Sequence, residues 1–406
     1  MKLLKSLLPF VAAAIATGAC STNQKAPAQE EQSRFALMGA ETLDSLYARY
    51  SIGGETLLRE NYPFDESYRA GYLAEEAGQT NPYSYLWPFS GTVSAVRALY
   101  DATGDTSYMV LLEERVLPGL DQYLDTLRAP AAYASYVNSA PQSDRFYDDN
   151  IWLGIDFTDL YLATGNTPYL DNARMIWKFI ESGTDDKLGG GIYWCEQKKG
   201  GKNTCSNAPG SVYALKLFKA TSDSAYLDAG KTLYHWTKDN LQDTADCLYF
   251  DHKLMNGRIG RAKFAYNSGQ MMQAAALLYQ LTGDSAYLAD ARDIASGAHK
   301  RFFNATATDS IGEFPLLQKG DIWFTAVMMR GFHELYLADG NPVYMDDFLR
   351  NLDQAWSLMR DTGTGLFNED WSGNEKKDKK WLLTQGAMAE MFATAALYEK
   401  SRQADK

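Results

Sequence analysis

From Arg34 onwards the chain alternates two kinds of helical segment. One kind is built of small and apolar residues on every side, as in Gln270-Met271-Met272-Gln273-Ala274-Ala275-Ala276-Leu277-Leu278. A helix apolar all round belongs in an interior. The other kind carries charges on one face, as in Ala289-Asp290-Ala291-Arg292-Asp293-Ile294-Ala295, and belongs outside. A recurring phrase joins them. It reads Leu99-Tyr100-x-x-Thr103-Gly104-Asp105-x-x-Tyr108, then returns from Leu160, Leu217, Leu278 and Leu335, with a partial copy at Leu397-Tyr398. Its last Tyr recurs at 108, 169, 226, 287 and 344, in steps of 57–61 residues. Physically the phrase is a helix–turn–helix joint: Gly takes the left-handed position that ends one helix, and Asp or Asn caps the next.

The pattern predicts inner helices over 87–102, 149–163, 208–220, 267–281, 323–338 and 383–399. Outer helices are predicted over 33–50, 106–127, 167–182, 224–240, 285–303 and 342–360. The period is longer than that of tetratricopeptide or armadillo units, and six pairs is the number that closes a ring. The expected fold is all-α, an (α/α)6 barrel of six helical hairpins with inner and outer helix rings. An open helical solenoid is the alternative.

If the joints align at one end, the inner-helix starts align at the other. Counting back from each joint aromatic places Trp87/Pro88, Asp148/Asp149, Cys205/Ser206, Tyr266/Asn267, Trp323/Phe324 and Gln385/Gly386 on one rim. The long connections, 51–85, 128–147, 183–206, 241–265, 304–321 and 361–381, all precede these starts, so this end should carry the cleft. Of three Asp-Asp pairs, Asp185-Asp186 reads as turn chemistry and Asp346-Asp347 as a solvated helix face. Only Asp148-Asp149 falls on the rim. Adjacent acids repel, so one should hold its proton more tightly; a split pair supplies the nucleophile and the acid of glycoside hydrolysis. The alternative is an N-cap with a dipole-stabilised neighbour.

Composition narrows the class. The chain has 406 residues, with 39 Lys+Arg against 51 Asp+Glu for a net charge of −12. That balance argues against nucleic acid or an anionic membrane as partner. At the N-terminus, Lys2 and Lys5 precede the apolar run Leu7–Ala16, too short to span a bilayer, and Thr17-Gly18-Ala19-Cys20 resembles a bacterial lipobox with Thr in place of the usual Leu. The domain organisation expected is a lipoprotein-type signal over 1–20 ending at a lipidated Cys20, a flexible tether over 21–32, and one barrel domain over 33–402. An ordinary cleavable signal is the alternative. The mature protein would then be an exported lipoprotein on the periplasmic or cell-surface side of a membrane, touching it only through the lipid. Cys195 and Cys205 could form a disulfide there or remain two free thiols. Four scattered His and no Cys-x-x-Cys give a zinc site little support.

Five motifs carry a resemblance: Trp87-Pro88-Phe89-Ser90, Tyr147-Asp148-Asp149-Asn150-Ile151-Trp152, Gly189-Gly190-Gly191-Ile192-Tyr193-Trp194, Lys202-Asn203-Thr204-Cys205-Ser206-Asn207 and Tyr266-Asn267-Ser268-Gly269-Gln270. In this order they resemble glycoside hydrolase family 76, the endo-α-1,6-mannanases. The departures are Ser268, where the family often carries Gln, and the possible disulfide. The resemblance implies the (α/α)6 barrel and a retaining mechanism, with Asp148 as nucleophile and Asp149 as general acid/base. It also implies a sugar contact from an acid before the Tyr-Asn motif, for which Asp251 is the candidate. For retention the carboxyls should lie about 5–5.5 Å apart. Trp87, Trp194 and Tyr266 are candidate stacking platforms. Asn150, Asn207, Asn267 and Gln385 are candidate partners for sugar hydroxyls, with capping or loop bonding as the alternative. The chemistry asks for no cofactor and no metal, the substrate would be α-mannan or manno-oligosaccharides, and the protein is expected to act as a monomer. Competing readings are a non-catalytic glycan-binding lipoprotein, an (α/α)6 enzyme acting on another polysaccharide, and a helical scaffold.

Overall fold

The computed structural model describes residues 33–70 and 81–404; the signal, Cys20 and the tether lie outside them. Twelve helical segments alternate along the described chain. Outer helices are α1 (Arg34–Tyr50), α3 (Ser107–Leu111), α5 (Thr167–Ser182), α7 (Ser224–Leu241), α9 (Ser285–Phe302) and α11 (Val343–Gln354). Inner helices are α2 (Leu86–Thr103), α4 (Tyr147–Thr164), α6 (Thr204–Thr221), α8 (Ala265–Thr282), α10 (Ile322–Asp339) and α12 (Leu382–Ala404). Each inner helix packs on the next, and α12 returns to α2. The ring therefore closes as an (α/α)6 barrel, and the open solenoid is excluded. α1 completes the outer layer against α12 and α2.

The outer element predicted over 106–127 departs most from expectation. α3 widens into a π-helical turn over Leu112–Val116, passes through Leu117–Leu120 and a 3₁₀ turn, and gives way to a strand at Leu124. Pro118 cannot donate to the Glu114 carbonyl, so the regular ladder cannot continue through it. The long connections also contain short antiparallel strand pairs that the helical pattern did not predict. One is a three-stranded sheet of β1 (Gly201–Asn203), β2 (His252–Leu254) and β3 (Ile259–Gly260). Loop backbone lying over a buried floor has to be hydrogen-bonded, and strand pairing does this.

The joints behave as the phrase requires. Gly104, Gly165, Gly283 and Gly340 end their helices in the left-handed conformation. The phrase's Thr also has a role: Thr282 Oγ1 donates to the Leu278 carbonyl at 2.6 Å and accepts the Asp284 N–H at 3.3 Å. Where the phrase has Asp339 instead, Oδ1 accepts the Asn341 N–H at 3.0 Å. In the third joint Ser222 stands in the glycine position at φ 59°. An L-residue there costs roughly 1 kcal/mol. Ser222→Gly should raise stability by about 0.5–1 kcal/mol, read as a shift of the denaturant midpoint at unchanged slope.

Candidate active site

The second residues of five inner helices, Trp87, Asp148, Cys205, Tyr266 and Trp323, all line one cavity of about 630 Å³. Phe324 and Asp149 join them, as do Trp194, Lys198, Asp251 and His252 from the loops. The cavity sits at the inner-helix N-termini, the end carrying the long connections.

Its aromatic base is a set of rings packed edge to face and in stacks. Trp152 meets Trp323 edge to face at 4.8 Å, and Trp323 meets Trp87 the same way at 5.6 Å. Tyr266 stacks on Phe324 with centroids 4.0 Å apart, so one face of Tyr266 is already covered. Trp87 and Trp194 keep partly exposed rings, which a sugar's C–H face can use. Trp152, Trp323, Phe324 and Phe264 were not among the candidate binding residues. For Trp323 and Phe324 the rim register was a signal that could have found them.

The two carboxyls share the first turn of α4. Trp194 donates its indole N–H to Asp148 Oδ2 at 3.1 Å. Burial pushes Asp148 up to about 7, although the Cys205 thiol, the Asp149 backbone N–H and the Trp194 indole all favour its charge. Burial, then the neighbouring Asp148 charge, pushes Asp149 well above the usual carboxylate range. Near neutrality the pair therefore holds one proton more readily than it releases both. Asp251 is also at the cavity, with its carboxylate 2.7 Å from His252 Nδ1 and its carbonyl accepting the Thr204 N–H that opens α6.

Three predicted sugar-binding amides have other work. Asn150 Oδ1 accepts the Tyr133 N–H at 2.8 Å, and its Nδ2 donates to the Tyr133 carbonyl at 2.9 Å. Asn207 holds Ile192 in the same way, at 2.6 and 2.9 Å. Gln385 holds Phe367 at 2.7 and 3.2 Å. Each is the fourth residue of its inner helix, fully buried, and takes the place of a strand neighbour for the preceding loop. None lines the cavity. Gln385 was misplaced because α12 begins two residues earlier, relative to its joint Tyr398, than its counterparts do. In α8 the fourth residue is Ser268, whose hydroxyl accepts the Tyr249 N–H at 3.2 Å. Asn267, next to Tyr266, is buried with neither amide atom hydrogen-bonded.

Of the two alternatives for Cys195 and Cys205, the structure has the free thiols. Cys195 Sγ lies 3.8 Å from Gln197 Oε1 in the loop, whereas Cys205 lines the cavity together with Asp148 and Tyr266. The Gly189-Gly190-Gly191 motif shapes the loop beside them. Gly191 has φ 83°, and a Cβ there would lie 2.7 Å from the Trp236 ring and 2.9 Å from Asn207 Oδ1.

Residues 64–405 match Glycosyl hydrolase family 76. The chain belongs to this family. Its fold superposes on a family 76 glycoside hydrolase (mannosidase) of Bacteroides thetaiotaomicron with a TM-score of 0.83 and 32% identity, covering 91% of this chain and 100% of that one. It also superposes on an α-1,6-mannanase of Salegentibacter sp. with a TM-score of 0.71 and 25% identity, covering 90% and 99%. That mannanase is an inactive variant, two consecutive aspartates replaced by asparagine, in complex with α-1,6-mannotriose. A fission-yeast relative, the meiotically up-regulated gene 191 protein of Schizosaccharomyces pombe, is 26% identical over 198 residues, 45% of this chain and 44% of its own length. This family 76 chain spans about half the length of the curated relatives it matches.

Proposed function

We propose that this family 76 member is a retaining, endo-acting hydrolase of α-1,6-mannosidic linkages, with Asp148 as nucleophile and Asp149 as general acid/base. The observation that carries the reading is the pair of consecutive carboxyls on the cavity wall at the start of α4, both desolvated and unequal in their hold on a proton. The Salegentibacter variant supports it, since an enzyme of the same fold and family is inactive without two consecutive aspartates and holds α-1,6-mannotriose.

In this mechanism protonated Asp149 gives its proton to the glycosidic oxygen while ionised Asp148 attacks the anomeric carbon. The leaving chain departs, and a mannosyl ester forms on Asp148. Ionised Asp149 then takes a proton from water, which displaces Asp148 from the anomeric carbon. Trp194 steadies the nucleophile through its indole N–H, and the partly open rings of Trp87 and Trp194 offer stacking faces to the mannosyl units. Asp251 is placed to accept a sugar hydroxyl.

The location belongs to the same proposal and is supported by sequence alone. The basic-then-apolar leader ending at Cys20 would place the enzyme outside the inner membrane, held by a lipid on Cys20 and acting as a monomer.

The test is incubation of the enzyme with unbranched α-1,6-mannan, with products chromatographed over time. A ladder of short manno-oligosaccharides with early loss of polymer length is expected. Mannose as the only product would replace endo with exo action. Tight binding of the glycan without turnover would replace the enzyme by a glycan-binding protein.

A further inference from the structure

Part of the cavity wall comes from the three-stranded sheet. Gly201 and Asn203 of β1 line it, as do His252 and Leu254 of β2 and the residue before β2, Asp251. The backbone at Asp251-His252 is held from both sides. Asn203 of β1 and Gly260 of β3 stand opposite His252 in the two ladders. The Asp251 N–H donates to the Gly260 carbonyl at 3.0 Å, and the Asp251 carbonyl accepts the Thr204 N–H at 2.8 Å, which ties the sheet to the first residue of α6.

The imidazole of His252 is seated by two contacts. Its Nδ1 lies 2.7 Å from Asp251 Oδ2. Its ring lies against Gly260, where a Cβ would come 2.3 Å from Cε1 and 2.6 Å from each ring nitrogen. Gly260 does not have a left-handed backbone, so the close approach of the ring is what an added side chain would disturb. A carboxylate beside Nδ1 keeps a proton on that nitrogen, and the neutral ring then presents the lone pair of Nε2. Among the described residues none hydrogen-bonds Nε2, and the side chain keeps 30% of its surface exposed.

We infer that His252 is a substrate-binding residue: its Nε2 accepts a hydrogen bond from a hydroxyl of a mannosyl unit in the cavity, with Asp251 and Gly260 setting the ring's place. The inference rests on the mannanase reading for the identity of the sugar. It gives Asp251 a second task, since one carboxylate oxygen holds the imidazole while the other is left for substrate.

The test is a double-mutant cycle on binding, made in the Asp148→Asn/Asp149→Asn background so that the ligand survives. Calorimetry with α-1,6-mannotriose compares this parent with His252→Ala, Gly260→Ala and the two combined. His252→Ala should weaken binding about 3–10-fold, the value of one hydrogen bond. Gly260→Ala should weaken it to a similar degree, because its methyl group displaces the ring. The combination should be no weaker than His252→Ala alone, because the ring is then already gone. Losses that add, or a His252→Ala variant that binds as the parent does, would overturn the inference. In the active enzyme His252→Ala should raise KM on α-1,6-mannan by the same factor with kcat within about twofold. A fall in kcat at unchanged KM would also overturn it, because that is the mark of a disturbed catalytic pair. If the parent binds no mannotriose and the wild type leaves α-1,6-mannan intact, the mannanase reading falls and this assignment with it. If the parent binds and only the His252 prediction fails, the mannanase reading stands.

Discussion

Asp149→Asn lowers kcat/KM on α-1,6-mannan by a factor on the order of 10³, and Asp148→Asn lowers it at least as far. The two losses differ in kind. Without Asp149 the sugar leaving group must depart unprotonated, so an aryl mannoside with a good leaving group recovers much of the first step. Without Asp148 no mannosyl ester can form, and leaving-group quality does not help. Steady-state kinetics on mannan and on an aryl mannoside for both variants therefore separates the roles. If the aryl substrate rescues Asp148→Asn instead, the assignments are reversed.

The same variants should be more stable than wild type near neutrality. Both carboxyls hold protons more tightly in the fold than in the unfolded chain, where Asp titrates near 4. The native state therefore binds more protons, and wild-type stability falls as pH rises from about 4 through 7. Asparagine removes that loss. The gain, read from denaturant midpoints, should be largest near pH 7–8 and shrink towards pH 4.

Glu390→Ala is the substitution expected to damage the fold most. Arg330 on α10 meets both Glu390 oxygens on α12, at 2.5 and 2.8 Å, in a barrel core where the two side chains are only 9% and 2% exposed. Nearby, Arg97 on α2 pairs with buried Asp156 on α4 at 2.8 Å, and Lys216 on α6 pairs with Asp159 on α4 at 2.6 Å. Five inner helices thus contribute charge to one buried network. The Arg330 guanidinium also lies 5.9 Å from the Trp152 ring, which supports the cavity base through Trp323. Truncating Glu390 removes the bidentate partner of a buried cation, and such a loss costs about 3–5 kcal/mol. The double variant Arg330→Met/Glu390→Leu should recover most of it, because an apolar pair leaves no stranded charge. Chemical denaturation of both decides the matter; a single-variant loss below about 1 kcal/mol would remove the network from the account of stability.

The helices were legible because their causes are local. A joint is specified by Leu-Tyr, a Thr, a left-handed Gly and a capping Asp within ten residues, and the apolar faces on either side state inner or outer. The regular length of five inner helices then fixed which residues share a rim, and five of the second-position side chains do meet in one cavity. Family membership was legible too, because the motifs are short and ordered.

Direction and partnership were not legible. Asn150, Asn207 and Gln385 look like any polar amide near a cleft, yet each points outward to bind a preceding loop, since buried backbone has to be satisfied before substrate can be. Cys195 and Cys205 are close in sequence, but Cys205 lies at the start of an inner helix and lines the cavity, while Cys195 belongs to the loop before it and lies against Gln197. Burial raises the proton affinity of both Asp148 and Asp149, and the two become uneven because Asp148 alone is offered donors, Trp194 from a distant loop among them, while Asp149 feels the Asp148 charge. The sequence by itself determined the helix alternation, the barrel and the rim, because short-range patterns encode them. Only the tertiary structure decided which rim side chains face the cavity, what each one bonds and how its charge is held, because those depend on neighbours that folding alone brings together.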